Sequence, residues 1–139
     1  MTVPTSRRGS DAGFTLPELL VVIVIVAILA AIAIPLYLDH TRKANDAAAQ
    51  SDAMNLGTMV RAAYDEGGSP TVTLNGDRRY VIDGEVAFGA SPGVEFVTFT
   101  GGDIESWCVQ LRHPGGEAAA SPGVRFDAQN GYVEQAACP

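Results

Sequence analysis

One carboxylate, Glu18, lies at the start of a long apolar run, and its position needs a chemical explanation. From Leu19 to Leu38 the sequence has no Asp, Glu, Lys, Arg or His. A carboxylate that enters a bilayer beside such a run costs on the order of 2 to 3 kcal/mol. The position therefore predicts a compensating positive charge. Cleavage between Gly13 and Phe14 would supply one, because it creates an α-amino group four residues before Glu18.

The new amine and the Glu18 carboxylate can pair in two ways. Within one helix Phe14 and Glu18 are one turn apart, so the pair can form inside a single chain. Between copies, the same pair would fix the axial register while apolar faces supply most of the cohesion. A carboxylate buried without a partner would be strongly unfavourable. Pro17 is tolerated because amides in the first helical turn have no intrahelical acceptor.

Residues that could support catalysis or bind a metal are few. His40 lies at the edge of the apolar run and His113 beside Pro114, and neither has the Ser or Cys context of an activated nucleophile. The segment 127–131 offers Asp, Gln and Asn oxygens without the spacing of a calcium loop, so a turn is favoured. The sequence predicts no catalytic residue, no metal site and no cofactor.

Chain length and charge limit the protein to a few classes. The 139 residues suffice for one domain with a modest core. A formal net charge of −7 argues against a nucleic-acid-binding surface, because phosphate recognition needs clustered Lys and Arg. We therefore expect no direct nucleic-acid binding.

The two cysteines, Cys108 and Cys138, favour a disulfide formed outside the cytosol. Their even count in a chain with a membrane-directing segment supports that interpretation, with a pair of reduced structural thiols as the alternative. A crosslink across about 30 residues would contribute roughly 3.5 kcal/mol in the chain-entropy model. It would fasten the chain end to the strand that carries Trp107 and Val109.

The N-terminal part of the chain predicts a leader followed by a membrane helix. Residues 1–13 are short and polar, and Arg7 and Arg8 would hold them on the cytoplasmic side. Residues 14–38 include about 20 apolar positions, enough to span a bilayer core. A cleaved secretory signal is the alternative, since residues 31–33 resemble a small-x-small cleavage site, although the apolar run is longer than usual for one.

The helix is expected to continue over residues 39–66 and to end at Glu66–Gly68. Five small or apolar residues share one face of this segment, with Asp52 as an exception at its edge. They are Ala49, Ala53, Leu56, Val60 and Ala63.

Residues 67–139 are predicted to form short antiparallel strands in a meander. Val72 and Leu74 precede a hairpin-type turn at Asn75–Gly76, and further strands are expected from Val94, Ser106 and Gly123 and after Asn130. Residues 113–123 have the composition of a loop. The predicted fold is α+β, a long N-terminal helix packed on a small antiparallel sheet.

The segment GFTLPELLVVIVIVAILAAIAIPLYLDHTRKA, residues 13–44, resembles the class III signal of type IV pilins and the related pseudopilins. The resemblance implies that a prepilin peptidase cuts after Gly13 and methylates the new N-terminus at Phe14. It implies that Glu18 is the assembly residue, which meets a neighbour's amine. Pro17 departs from the pattern, because an aliphatic residue is more usual there.

Pro35 matches a recurring proline of the same family. A proline at this position removes the amide that would bond to the carbonyl of Ala31, so a kink is expected. The resemblance also implies that residues 27–34 unwind in the filament.

The main functional hypothesis is a structural subunit of a type IV pilus. Its expected partners are a prepilin peptidase, an assembly platform and other pilins, and it would begin as a single-pass cytoplasmic membrane precursor and end in a cell-surface filament. The alternative within the family is a pseudopilin of a type II secretion or competence DNA-uptake system. A membrane-anchored binding domain that never assembles is a third possibility. None of these hypotheses predicts an enzyme.

Overall fold

The computed structural model describes residues 13–139, which divide into two compact units between Tyr37 and Leu38. The predicted leader therefore lies outside the described residues except for Gly13. One helix, α1 (Leu16–Asp65), contributes to both units. The helix begins at Leu16, because Thr15 provides the N-terminal cap.

The first unit consists mainly of the apolar part of α1. By length and composition this helix includes a segment that can cross a membrane. Its large apolar side chains between Leu19 and Tyr37 expose 50% to 70% of their surface. Pro35 lies inside the helix, and residues 27–34 are helical in the single chain. The expected kink and the unwinding in a filament stay predictions.

The second unit packs the rest of α1 against strands. The predicted apolar stripe is confirmed at four positions, Ala49, Ala53, Leu56 and Val60, none of which is exposed. Ala63 is partly buried, and the neighbouring Tyr64 is buried.

The seven strands follow the turn signals in the sequence. They are β1 (Val72–Leu74), β2 (Arg79–Ile82), β3 (Glu85–Gly89), β4 (Glu95–Thr100), β5 (Cys108–Arg112), β6 (Val124–Asp127) and β7 (Gly131–Val133). All neighbouring pairs are antiparallel and sequential, as expected for a meander.

The strands form two sheets, β1-β2-β3 and β4-β5-β6-β7, so the prediction of a single sheet was wrong. The strand β3 was also missed. Its five residues lie between Gly84 and Ala90. Polar and apolar residues do not alternate regularly along this strand, and the β2–β3 register shifts between Tyr80 and Val81. A turn over residues 91–94, with Gly93 at φ 79°, then starts the second sheet.

Aromatic stacking joins α1 to the second sheet. The Trp107 ring lies nearly parallel to Tyr64 on the helix, with centroids 6.1 Å apart, and to Phe126 on β6, with centroids 5.9 Å apart. The helix approaches closely at Gly57, where a Cβ atom would come within 2.3 Å of the Phe126 ring. This small residue therefore sets the helix-to-sheet distance.

Asp52 interrupts the apolar stripe because it binds groups of the first sheet and its connection. Its carboxylate accepts hydrogen bonds from the Tyr80 hydroxyl at 3.1 Å and from the Ser91 amide and hydroxyl at 2.8 Å each. Burial, together with the nearby Asp52 charge, raises the pKa of Tyr80 far above its ordinary value. Tyr80 thus stays a hydrogen-bond donor.

The predicted disulfide is present between Cys108 and Cys138, whose Cα atoms are 5.8 Å apart. It joins the first residue of β5 to the chain end. Gln110 reinforces the same connection, because its side-chain oxygen accepts from the Cys138 amide at 3.0 Å and its amide group donates to the Pro122 carbonyl at 2.6 Å.

Replacing Cys108 by Ser should lower the thermal stability of the oxidised protein. The disulfide closes a sequence separation of 30 residues, and its loss is expected to cost about 3.5 kcal/mol because the unfolded chain regains entropy. The measurement is thermal denaturation of the full chain in mild detergent. Reductant should bring the wild type down to the melting temperature of Cys108→Ser, and equal melting temperatures under oxidising conditions would contradict the prediction.

Candidate assembly segment

The first turn of α1 holds Glu18 in a reciprocal cap with Thr15. The Thr15 amide donates to Glu18 Oε2 at 3.4 Å, and the Glu18 amide donates to Thr15 Oγ1 at 3.4 Å. The Thr15 carbonyl accepts the first helical hydrogen bond, from Leu19 at 3.2 Å. This arrangement is a capping box, in which a hydroxyl and a carboxylate three residues apart satisfy two amides.

Pro17 fits this turn without loss of a hydrogen bond. It is the second residue of α1, where a backbone amide would have no intrahelical acceptor. The cap itself was not predicted, although the spacing of Thr15 and Glu18 is its signature. The helix starts where it does because Thr15 and Glu18 together satisfy amides that would otherwise lack partners.

The predicted cleavage bond lies just outside the helix. Gly13, Phe14 and Thr15 precede α1 and are exposed, with Phe14 exposing 87% of its surface. Exposed non-helical backbone is a favourable protease substrate. A new amine on Phe14 would begin one residue before the amide that already donates to Glu18.

The same residues match a known protein family. The family model described as "Prokaryotic N-terminal methylation motif" matches residues 8–34, which include Gly13, Phe14 and Glu18. The N-terminal region is thus similar to the methylation motif of that family model. The resemblance stated from the sequence is therefore confirmed for the prepilin signal.

Several relatives of known name share this N-terminal region. The chain is 46% identical over 65 residues to "Fimbrial protein EcpB" of Eikenella corrodens, covering 47% of this chain and 41% of that protein. It is 43% identical over 65 residues to "Type IV major alpha-pilin" of Moraxella bovis, with the same shares of 47% and 41%. It is 50% identical over 52 residues to "Type IV narrow pilus major component PilA5" of Thermus thermophilus, covering 37% and 41%.

These matches cover about two fifths of the relatives' own lengths. No solved structure gives a significant match to the chain. The similarity to pilins is therefore limited to the N-terminal region of the chain.

The segment 127–131 forms a turn, as predicted. The Asp127 carboxylate accepts from the amides of Gln129 and Asn130 at 3.0 and 2.6 Å and lies 3.0 Å from Arg125 Nε. Its oxygens are thus occupied by protein donors. Within residues 13–139 no group of three or more His, Cys, Asp or Glu side chains is arranged to hold a metal ion.

The two histidines of this chain differ in their surroundings. His113 is buried, its Nδ1 accepts from the Gly115 amide at 3.1 Å, and its Nε2 lies 3.2 Å from the Pro92 carbonyl. Both ring nitrogens therefore support the loop over residues 113–123. His40 is exposed on α1. Neither arrangement provides an activated nucleophile.

Hydrogen bonds set the ionisation of Asp127. Burial alone would raise the pKa of this carboxyl group. The donors of Asn130 and Gln129 and the charge of Arg125 together outweigh that effect, so the pKa is lowered from the ordinary value of 3.8. Asp127 is thus a stabilising anion at neutral pH.

Replacing Asp127 by Asn should make the stability of the protein less dependent on pH in the acidic range. Because the folded pKa is below the unfolded value, the contribution of Asp127 is fully present above the unfolded pKa and is lost as the pH falls through the folded pKa. The variant should be less stable by about 1 to 3 kcal/mol at pH 7.

The measurement is the melting temperature of wild type and variant between neutral and acidic pH. The two curves should converge as the pH falls. The matched control is Asp77→Asn, because Asp77 lies in an exposed turn. A constant difference between wild type and Asp127→Asn over the whole range would contradict the account.

Proposed function

We propose that this chain is a structural subunit of a type IV pilus, cleaved after Gly13, N-methylated at Phe14 and polymerised through the apolar part of α1. One observation carries the proposal. A capped carboxylate, Glu18, sits directly before an uncharged apolar run that exposes half or more of its large side chains.

The apolar run requires a cover that residues 13–139 do not provide. About 20 residues of helix have a length of about 30 Å, which matches a bilayer core. Before assembly, lipid can cover these side chains. After extraction, the same surface can be covered only by other apolar surfaces, and identical helices supply them along a filament.

Glu18 gives this apolar packing a register. In the precursor, its carboxylate accepts from the amide and the hydroxyl of Thr15. After cleavage, the amine of Phe14 is a positive group, and pairing it with Glu18 neutralises both charges in a dry interface. Removing one partner of a buried ion pair costs about 3 to 5 kcal/mol, so misaligned copies would be strongly disfavoured.

The relatives favour a pilus over a pseudopilus. They carry the names of fimbrial proteins and pilus components. The proposed partners are a prepilin peptidase, an assembly platform and other pilins. The proposed route runs from a single-pass cytoplasmic membrane precursor to a cell-surface filament. The role is structural and uses no catalytic residue.

Two substitutions at Glu18 separate its charge from its role in the helix cap. Glu18→Ala removes both, whereas Glu18→Gln keeps a capping acceptor and loses only the charge. Both should reduce sheared filaments about tenfold or more while the membrane-inserted precursor persists, because the loss of a buried pair far exceeds the 1.4 kcal/mol of one tenfold step.

The measurement is the amount of subunit in sheared cell-surface material and in membranes, in a host with a type IV pilus machinery. Glu105→Gln is the matched control, since Glu105 is an exposed carboxylate on the C-terminal domain. Normal filament yield from Glu18→Gln would overturn the charge-pairing argument.

A further inference from the structure

A groove of about 480 Å³ lies between the last turns of α1 and the β2–β3 hairpin. Its apolar floor includes Met59 of the helix and Ile82 and Val86 of the hairpin. Met59 exposes 40% and Val86 49% of its surface. The groove is thus an open apolar surface of the C-terminal domain.

The rim of this groove is acidic. Three carboxylates line it, Glu66 after the end of α1 and Asp83 and Glu85 at the hairpin. Asp83 is held in place because its carboxylate accepts from the Thr71 amide at 2.8 Å. None of the residues that line the groove is basic. A ligand for this surface should therefore combine an apolar side chain with a cation.

The second unit carries a surface of that chemistry on another part of α1. Leu38 exposes 49% of its surface, and Arg42 is exposed one turn later on the same face. Within residues 13–139, Arg42 has no ion-pair partner within 4 Å, although its charge helps to lower the pKa of nearby Asp39. Its neighbour Lys43 differs, because it pairs with Asp39 at 2.8 Å.

Leu38 and Arg42 continue the helix stripe that the chain covers with its own strands. Further along the stripe lie Ala49, Leu56 and Val60, which are fully buried. The chain's own strands leave the stripe open at Leu38 and Arg42. The surface formed by Leu38 and Arg42 is apolar, like the buried part of the stripe, and carries a positive charge. It is therefore complementary to the apolar groove with an acidic rim on a second copy.

We propose that Leu38 and Arg42 of one copy dock into the groove of a second copy, with Leu38 on the apolar floor and Arg42 among the rim carboxylates. This inference rests on the proposed function, because it describes a contact inside the filament. The contact is heterologous, so it repeats along an open helical assembly rather than closing into a dimer.

The spacing along α1 is compatible with such a contact. Arg42 precedes Met59 by 17 residues, which is about 26 Å of helix. A parallel copy displaced along the axis by about this distance or one to two turns more brings its Arg42 level with the groove. A helical filament contains copies at successive axial displacements.

Charge also favours a second copy as the occupant. The chain has a formal net charge of −7, so copies repel one another unless basic groups meet carboxylates at their contacts. Arg42 facing three carboxylates replaces repulsion by attraction.

A charge-swap experiment on the full-length chain tests this contact. Arg42→Glu and Glu85→Lys are each expected to lower sheared filament yield about tenfold, because each puts like charges together. The double variant restores an opposite pair and should recover to within about twofold of the wild type. Asp77→Lys is the matched control, since it makes the same charge change in an exposed turn outside the groove.

The outcomes separate this contact from the proposed function. Suppose that the wild type forms filaments. If the single variants then give an undiminished filament yield, or if the double variant gives no more filaments than the single variants, the docking contact is overturned and the pilus function is not. A wild type that makes no filaments in a competent host overturns the pilus function and the contact with it.

Discussion

The structure depends on an apolar helical surface that the rest of residues 13–139 does not cover. Between Leu19 and Tyr37 the large side chains expose at least half of their surface, and the hydrophobic effect makes that state in water strongly unfavourable. A bilayer and a bundle of identical helices can both cover it. The C-terminal domain can therefore have an ordinary small core, held by the Trp107 stack and the disulfide. In the proposed function, the apolar part of the helix mediates assembly.

Glu18 would have a different partner in the membrane-inserted precursor and in the filament. At the helix start, the carboxylate accepts hydrogen bonds from the amide and the hydroxyl of Thr15. A free amine on Phe14 offers a stronger, charged partner. Proteolysis would thus convert a helix cap into an intermolecular pairing group, and the same carboxylate would serve both states.

Much of the fold follows from local patterns. The apolar stripe from Ala49 to Val60, the turn at Asn130–Gly131 and the Cys108–Cys138 pair depend on residue spacing and turn chemistry, which the sequence displays. The separation into two sheets and the burial of Asp52 depend on contacts between distant segments. Asp52 is polar in isolation and becomes a core residue only because Tyr80 and Ser91 donate to it. The groove between α1 and the β2–β3 hairpin likewise depends on tertiary packing. The Thr15 cap, in contrast, could have been predicted from the spacing of Thr15 and Glu18.

The most direct test of the account is the intact mass and N-terminal sequence of the subunit in sheared cell-surface filaments. If the chain is a processed pilus subunit, we expect it to start at Phe14 and to carry one methyl group on its amine. A chain that still starts at Met1, or one cut after Ala33 and found only in membranes or medium, would contradict it. In that case the apolar run would be an anchor or an ordinary signal, and Glu18 would have no amine to meet.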